Sequence, residues 1–326
     1  MAVVDGGAVS IAYQNEATFG TDPAGTPVLW RVTEKNINEE RATLESREIG
    51  TGGQQSAGVH GRSTRPGQFG GELGKSIHDH ALPWMLNAPA AWVADATGTG
   101  DHIDVTDAKR GLTVHKLYGA VANKYRKFTG VACSSFRLRA DPETQPVIEF
   151  GVLALGGGAL TTGNPTTSAA PTDDSYGPFQ GDIDLDVGGT PVNNWGFVTS
   201  IELSGEWNYN TSNVLFSRDP VNVARGNLVL TGSIQAYFDT VDGPTIFGYG
   251  ETEQSVGVQF QFQTSATVFH RFFLPRVKFW PATDNPGQQG DFPVTMNFRC
   301  SKGEVNSLGG GASTTALMRI QRDYGV

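Results

Sequence analysis

Between Val198 and Cys300 apolar and polar residues alternate in four long runs, and this alternation limits the fold more than any other feature of the chain. In Val198–Asn210, Ile201, Leu203, Gly205, Trp207 and Tyr209 alternate with Ser200, Glu202, Ser204, Glu206 and Asn208. In Asn227–Phe238 one parity holds Leu228, Leu230, Gly232, Ile234, Ala236 and Phe238, the other Asn227, Thr231, Ser233 and Gln235. Ser255–Thr264 and Phe292–Cys300 repeat the pattern with Val256, Val258, Phe260, Phe262 and with Phe292, Val294, Met296, Phe298. Side chains leave a strand on alternate faces, so each run predicts a strand with one face in a core and one polar face. Such sheets are usually antiparallel. The polar faces carry Gln, Asn, Ser and Thr more than Lys. Lys or Pro normally protects a free sheet edge, so these edges are expected to pair with something.

The 326 residues leave room for two domains of ordinary size. With 42 Gly, 17 Pro and only 17% charged residues, the composition is that of a β-rich folded protein with many turns. A net charge of −9 argues against a nucleic-acid binder, which normally carries a basic surface. Cys133 and Cys300 both fall in strand patterns, where a free cysteine behaves as a small hydrophobe. Neither a disulfide framework nor a metal site is expected from two cysteines, and no cofactor is expected. No signal peptide and no membrane-length apolar run is present, which predicts folding in a cytoplasm.

Along the chain, residues 1–28 read as an irregular arm, and Glu45–Arg65 as a long Gly-rich polar loop of the kind that is usually functional or mobile. Gly67–Gly74 reads as a strand, and Asp79 as the N-cap of a helix over His80–Asn87. Ala88–Lys109 is a polar connector. Gly111–Tyr118, Tyr125–Ala140 and Pro146–Leu155 are three more strands, the second with a bulge near Ser134–Ser135 where the apolar parity changes. Gly156–Gly177 reads as a low-complexity linker. Beyond it the same order returns: strand, loop, Gly-containing strand, short helix at Pro244–Gly248, three strands. The echo predicts an internal duplication, with domains at 1–160 and 195–326 joined by 161–194.

Candidate chemistry is sparse. His78-Asp79-His80 could offer two ligands on one strand face, but a capped turn explains it as well. No Ser sits in a nucleophile elbow, and phosphate-binding glycine fingerprints are absent. Asp182, Asp184 and Asp186 alternate and read as a solvated acidic edge rather than a Ca²⁺ loop. Between Arg139 and Arg218 there is no Lys or Arg, so acidity concentrates in that interval.

Several motifs, in order, carry a resemblance to the tail tube proteins of long-tailed bacteriophages. Glu16-Ala17-Thr18-Phe19-Gly20-Thr21 is similar to a box near that family's start. Glu45-Ser46-Arg47-Glu48-Ile49 followed by Gly67-Gln68-Phe69-Gly70-Gly71-Glu72-Leu73, then Phe128–Phe136 and Leu274-Pro275-Arg276-Val277-Lys278-Phe279, are similar to its later segments. The resemblance implies a mainly β protein of duplicated sandwich or half-barrel domains, each flanked by a short helix, that closes into a ring-shaped β-barrel on oligomerisation. It also implies a non-enzymatic virion component whose stacked rings conduct DNA without binding it specifically. The implied partners are further copies of the chain, a tape measure protein and tail terminator and distal tail proteins, with no membrane. The resemblance implies that single-domain relatives close as hexamers, so the duplication leads to an expectation of three chains per ring with pseudo-sixfold symmetry; a single larger sandwich would give six. Glu202 and Glu206 are candidate lumen residues, and Glu45, Arg47, Gln54, Gln55, Arg62 and Arg65 are candidates for contacts between rings. A β-rich decoration protein is one rival. A carbohydrate-binding tail protein using Trp84, Trp92, Trp195 and Trp207 is another, although Trp207 shares its strand's apolar parity.

Overall fold

The computed structural model describes residues 6–45, 59–94, 100–178, 180–187, 190–192, 198–237, 248–265, 267–281, 283–284, 293–305 and 314–324. The first half holds strands β1 (Ser10–Asn15), β2 (Val28–Trp30), β3 (Glu34–Ile37), β4 (Glu40–Leu44), β5 (Val59–Thr64) and β6 (Pro66–Glu72), then helix α1 (Ala81–Met85). β7 (Val93–Ala94), β8 (Asp101–Asp104), β9 (Leu112–Leu117), the helical turn α2 (Gly119–Ala122), β10 (Lys124–Ala140) and β11 (Val147–Thr162) follow. Next come β12 (Gly181–Val187), β13 (Thr190–Val192), β14 (Val198–Glu206), β15 (Asn210–Ser212), β16 (Asn222–Ala224) and β17 (Val229–Tyr237). The chain continues through β18 (Ser255–Ser265), β19 (Val268–Phe279), β20 (Thr283–Asp284), β21 (Pro293–Cys300), β22 (Gly303–Val305), β23 (Thr314–Ala316) and β24 (Arg319–Tyr324). The protein is mainly β, as the alternation requires.

All strand pairs are antiparallel, and two blocks share one pairing order. In the first, hydrogen bonding runs β2-β1-β9-β10-β11-β6-β3. In the second it runs β13-β12-β18-β19-β21-β17-β14. Each block also carries a small hairpin between corresponding strands, β4–β5 and β15–β16. The blocks join where β14 lies on the C-terminal part of β10, from Ser135 to Ala140. They join again where β24 pairs with both β19 and β8. Among the described residues the ladder branches but does not close on itself.

One core fills both blocks. Phe69, Phe128, Phe150, Phe260, Phe272 and Phe298 are almost wholly buried, and so are the two cysteines, which are free. The register shift between Cys133 and Ser135 is the bulge that the parity change requires. Gly205 and Gly232 hold core positions opposite large rings: a Cβ on Gly232 would lie 2.3 Å from Phe298 Cζ and 2.4 Å from the Glu202 carbonyl oxygen. Gly232→Val should therefore lower stability by about 3 kcal/mol, the upper range for overpacking, measurable as a drop in the urea midpoint.

Several expectations are corrected. Residues 59–64 of the Glu45–Arg65 loop form β5 against β4, and 101–104 of the Ala88–Lys109 connector form β8 against β24, with Ile103 in the core. Residues 10–15 are no arm: β1 lies between β2 and β9, with Ile11 and Ala12 fully buried. The stretch beginning at Gly156 is not wholly linker, because β11 continues to Thr162 against β10. Asp79 does not cap α1; the N-cap is His80, with no side-chain capping bond, and the Asp79 carboxylate turns to Arg322 and Tyr324 instead. Asp184 is buried and accepts a 3.0 Å hydrogen bond from Gln259, so the Asp182–Asp186 run is not a solvated edge throughout. Of the helix expected at Pro244–Gly248, residues 244–247 lie outside the described residues, and a helical turn occupies 248–251.

Candidate functional site

The junction of β10 with β14 makes one continuous sheet from β3 through β6, β11, β10, β14 and β17 to β21. Its apolar face is core. Its other face shows rows of residues in register. One row reads Glu34, Gly70, Glu149, Arg137, Ser204, Thr231, Arg299. A second reads Glu72, Val147, Arg139, Glu202, Ser233, Asn297. A third reads Asn36, Gln68, Gly151, Ser135, Glu206, Val229.

Glu202 and Glu206 thus share the polar face that strand parity assigns them. The sequence interval free of Lys and Arg is misleading, however, because β10 delivers Arg137 and Arg139 beside β14. The Arg137 guanidinium donates to Glu202 at 2.7 Å, and this bond, with burial opposing it, raises the Arg137 pKa. The three rows hold five carboxylates and three guanidiniums, a slightly acidic and mostly uncharged surface.

At one end of this sheet the β4–β5 and β15–β16 hairpins are tied together. Arg65 is 2% exposed and donates to Gly157 and Leu155 carbonyls, to Glu39 at 3.1 Å and to Asp219 at 2.5 Å. Ser63 adds a 2.8 Å hydroxyl bond to Asp219. The Arg65 bond, against the small effect of burial, depresses the Asp219 pKa. Arg65 is therefore an anchor at the base of the loop, not a surface contact. Glu45 and Arg62 are exposed, while Arg47, Gln54 and Gln55 lie outside the described residues. Residue patterning does not single out the neighbouring tip at Val214, Leu215 and Phe216, whose exposures are 49%, 85% and 107%.

His78 and His80 are structural. His78 Nδ1 accepts from the Trp30 indole at 3.1 Å, which leaves Nε2–H to donate to the Glu72 carbonyl at 3.0 Å. His80 stacks on Tyr13 at 3.4 Å between ring centres. Among the described residues no group of three or more His, Cys, Asp or Glu could hold a metal. Trp84 and Trp207 are buried, and their indoles donate to the Val131 and Met85 carbonyls. They cannot form a sugar platform; Trp195 lies outside the described residues. No described helix is long and apolar enough to cross a membrane.

None of the curated proteins compared with the chain matches it. A family model described as phage tail tube protein matches residues 6–300, which takes in both blocks and the whole polar sheet face. The chain belongs to the phage tail tube protein family: it is a structural, non-enzymatic component of the virion tail whose copies assemble into a stacked tube.

Proposed function

We propose that copies of the chain close into a ring-shaped barrel whose inner wall is the polar face of the β3-to-β21 sheet. The observation that carries this is the continuity of that face across both blocks, uncharged at most positions and free of any large basic patch. Such a wall repels phosphates mildly and holds few cations that would bind them by counterion release. DNA slides along it without sticking. Glu202 and Glu206 line the channel, and Arg137 is neutralised by its bond to Glu202.

The matching pairing order of the two blocks supports two tube domains, 1–160 and 195–326, joined by 161–194. Three chains then supply six similar units, a pseudo-sixfold ring; six chains per ring is the outcome if the blocks act as one unit. Covalent linkage raises the effective concentration of half the contacts. Glu45 and Arg62, with Arg47, Gln54 and Gln55, contact the adjacent ring, and the tape measure protein and the terminator and distal tail proteins bind the tube's interior and ends.

The expected result for Glu202→Lys combined with Glu206→Lys is tubes of normal mass per length with DNA release slowed by roughly tenfold, since each added cation releases counterions from DNA. A density map with both carboxylates on the outside of the ring would overturn the assignment. Rotational symmetry of the tube in projection decides between three chains and six.

A further inference from the structure

Among the described residues, the β10–β14 junction inside the chain has a counterpart without a pairing strand at each end of the same sheet. β14 is the strand beside β17 that precedes the β15–β16 hairpin. In the first block that place belongs to β3, which lies beside β6 and precedes the β4–β5 hairpin. β14 uses both edges, one for β17 and one for β10. Among the described residues β3 pairs only with β6. On the other side, the C-terminal part of β10 lies between β11 and β14. Its counterpart is β20, which resumes after β19 and pairs with β21 at Thr283↔Thr295 and Asp284↔Val294. Among the described residues the far edge of β20 is unpaired, and Trp280 next to it is 49% exposed.

We propose that β3 of one chain pairs antiparallel with β20 of the next copy, reproducing between chains the β14–β10 junction found within each chain. This deepens the ring proposed above and rests on it. Three physical points support it. The sheet from β3 to β20 is antiparallel at every step and contains an even number of strands, so a following β3 arrives antiparallel to β20. The edge groups are correctly aimed: the Asn38 N–H donates to the Pro66 carbonyl, and hydrogen-bonded positions alternate, so Lys35 and Ile37 direct their N–H and C=O away from β6, although the Ile37 carbonyl accepts from Lys116 Nζ at 3.2 Å and must exchange that bond on pairing. The interface is heterologous, with different surfaces on the two partners, which closes a ring when the rotation permits. Pairing removes the two open edges that would otherwise template aggregation.

The test uses the full chain under conditions in which the wild type assembles. Thr283→Cys is combined in turn with Glu34→Cys, Asn36→Cys and Asn38→Cys, because a short strand admits registers two residues apart. Cys133 and Cys300 are buried, with thiol pKa values pushed up by that burial, and stay out of the reaction. One combination is expected to give covalent multimers on oxidation, with the single variants giving none. Lys35→Pro, which removes an outward N–H but no bond to β6, should keep the monomer's circular dichroism and lower the assembled fraction by roughly tenfold, the effect of lost ladder bonds at each junction. Dimers formed by Asn36→Cys alone would mean that β3 pairs with itself across a twofold, which overturns the proposal. Normal rings in which no combination links and Lys35→Pro assembles as wild type overturn the junction alone. Wild-type chains that never form rings overturn the ring and the junction together.

Discussion

A chain lacking residues 301–326 should lose its cooperative fold. These residues lie beyond the stretch matched by the tail tube family model, yet they are not peripheral. β24 fills the space between β19 and β8, and Met318, Arg319 and Ile320 are 0 to 2% exposed. Arg319 donates from Nε and Nη2 to the two carboxylate oxygens of Asp104, both at 2.8 Å. Arg322 bonds Asp101 and Asp79, and the Tyr324 hydroxyl bonds Asp79 and sits 3.1 Å from His270. Losing buried side chains of this kind costs about 2 to 5 kcal/mol each, which for two approaches the whole stability of a domain, about 5 to 15 kcal/mol. Asp104→Ala isolates the ion-pair component: it takes away the carboxylate grasped by a buried guanidinium and should cost about 3 kcal/mol. Urea unfolding followed by circular dichroism checks both variants. An unchanged midpoint in the truncated chain would reduce β24 to an ornament.

The second large effect is acid lability, with stability falling steadily below about pH 6.5, the ordinary histidine value. His78, His80 and His115 are held neutral. Burial pushes His78 down to about 4, although its bond to the Glu72 carbonyl works the other way. His115 also falls to about 4, by burial and by nearby Lys127, and burial holds His80 well below the ordinary histidine value. Between the folded and unfolded values the unfolded chain binds more protons, so stability rises with pH across this window and is flat above it. For the fully buried His78 the loss from pH 6.5 to 4 is about 3 kcal/mol. Asp79 adds to it at the acid end. Burial alone would raise its pKa, but hydrogen bonds from His270 and Tyr324 and the charge of Arg322 bring it below the usual value. Its contribution is present above the unfolded carboxylate value and is lost as pH falls through the folded one. Thermal midpoints measured from pH 8 to pH 4 should be level down to about 6.5 and then drop; a level profile down to pH 5 would contradict three neutral buried histidines.

What was legible in the sequence was local. Period-two alternation located β14, β17, β18 and β21 within a few residues, and the parity change in β10 located its bulge. Parity also placed Trp207 in the core and Glu202 with Glu206 on the polar face. What escaped depends on partners far away in the chain. β24 reads as a charged hexapeptide, Arg-Ile-Gln-Arg-Asp-Tyr, and becomes a core strand only because Asp101 and Asp104 stand opposite Arg322 and Arg319. Arg65 resembles any basic loop residue until Asp219 and Glu39 enclose it. The charge balance of the polar face is hidden for the same reason: composition along one strand is silent about the arginines a neighbouring strand contributes.

The pairing of β8 with β24 also sets a timetable. Asp104 and Arg319 are 215 residues apart. At synthesis rates of about 5 to 20 residues per second, β8 emerges long before its partner and waits on the order of 10 to 40 s for it. During that interval the nascent chain exposes an unpaired strand and the carboxylates meant for Arg319 and Arg322. A chain whose synthesis has not yet passed β24 therefore has only one of its two inter-block junctions, the one between β10 and β14.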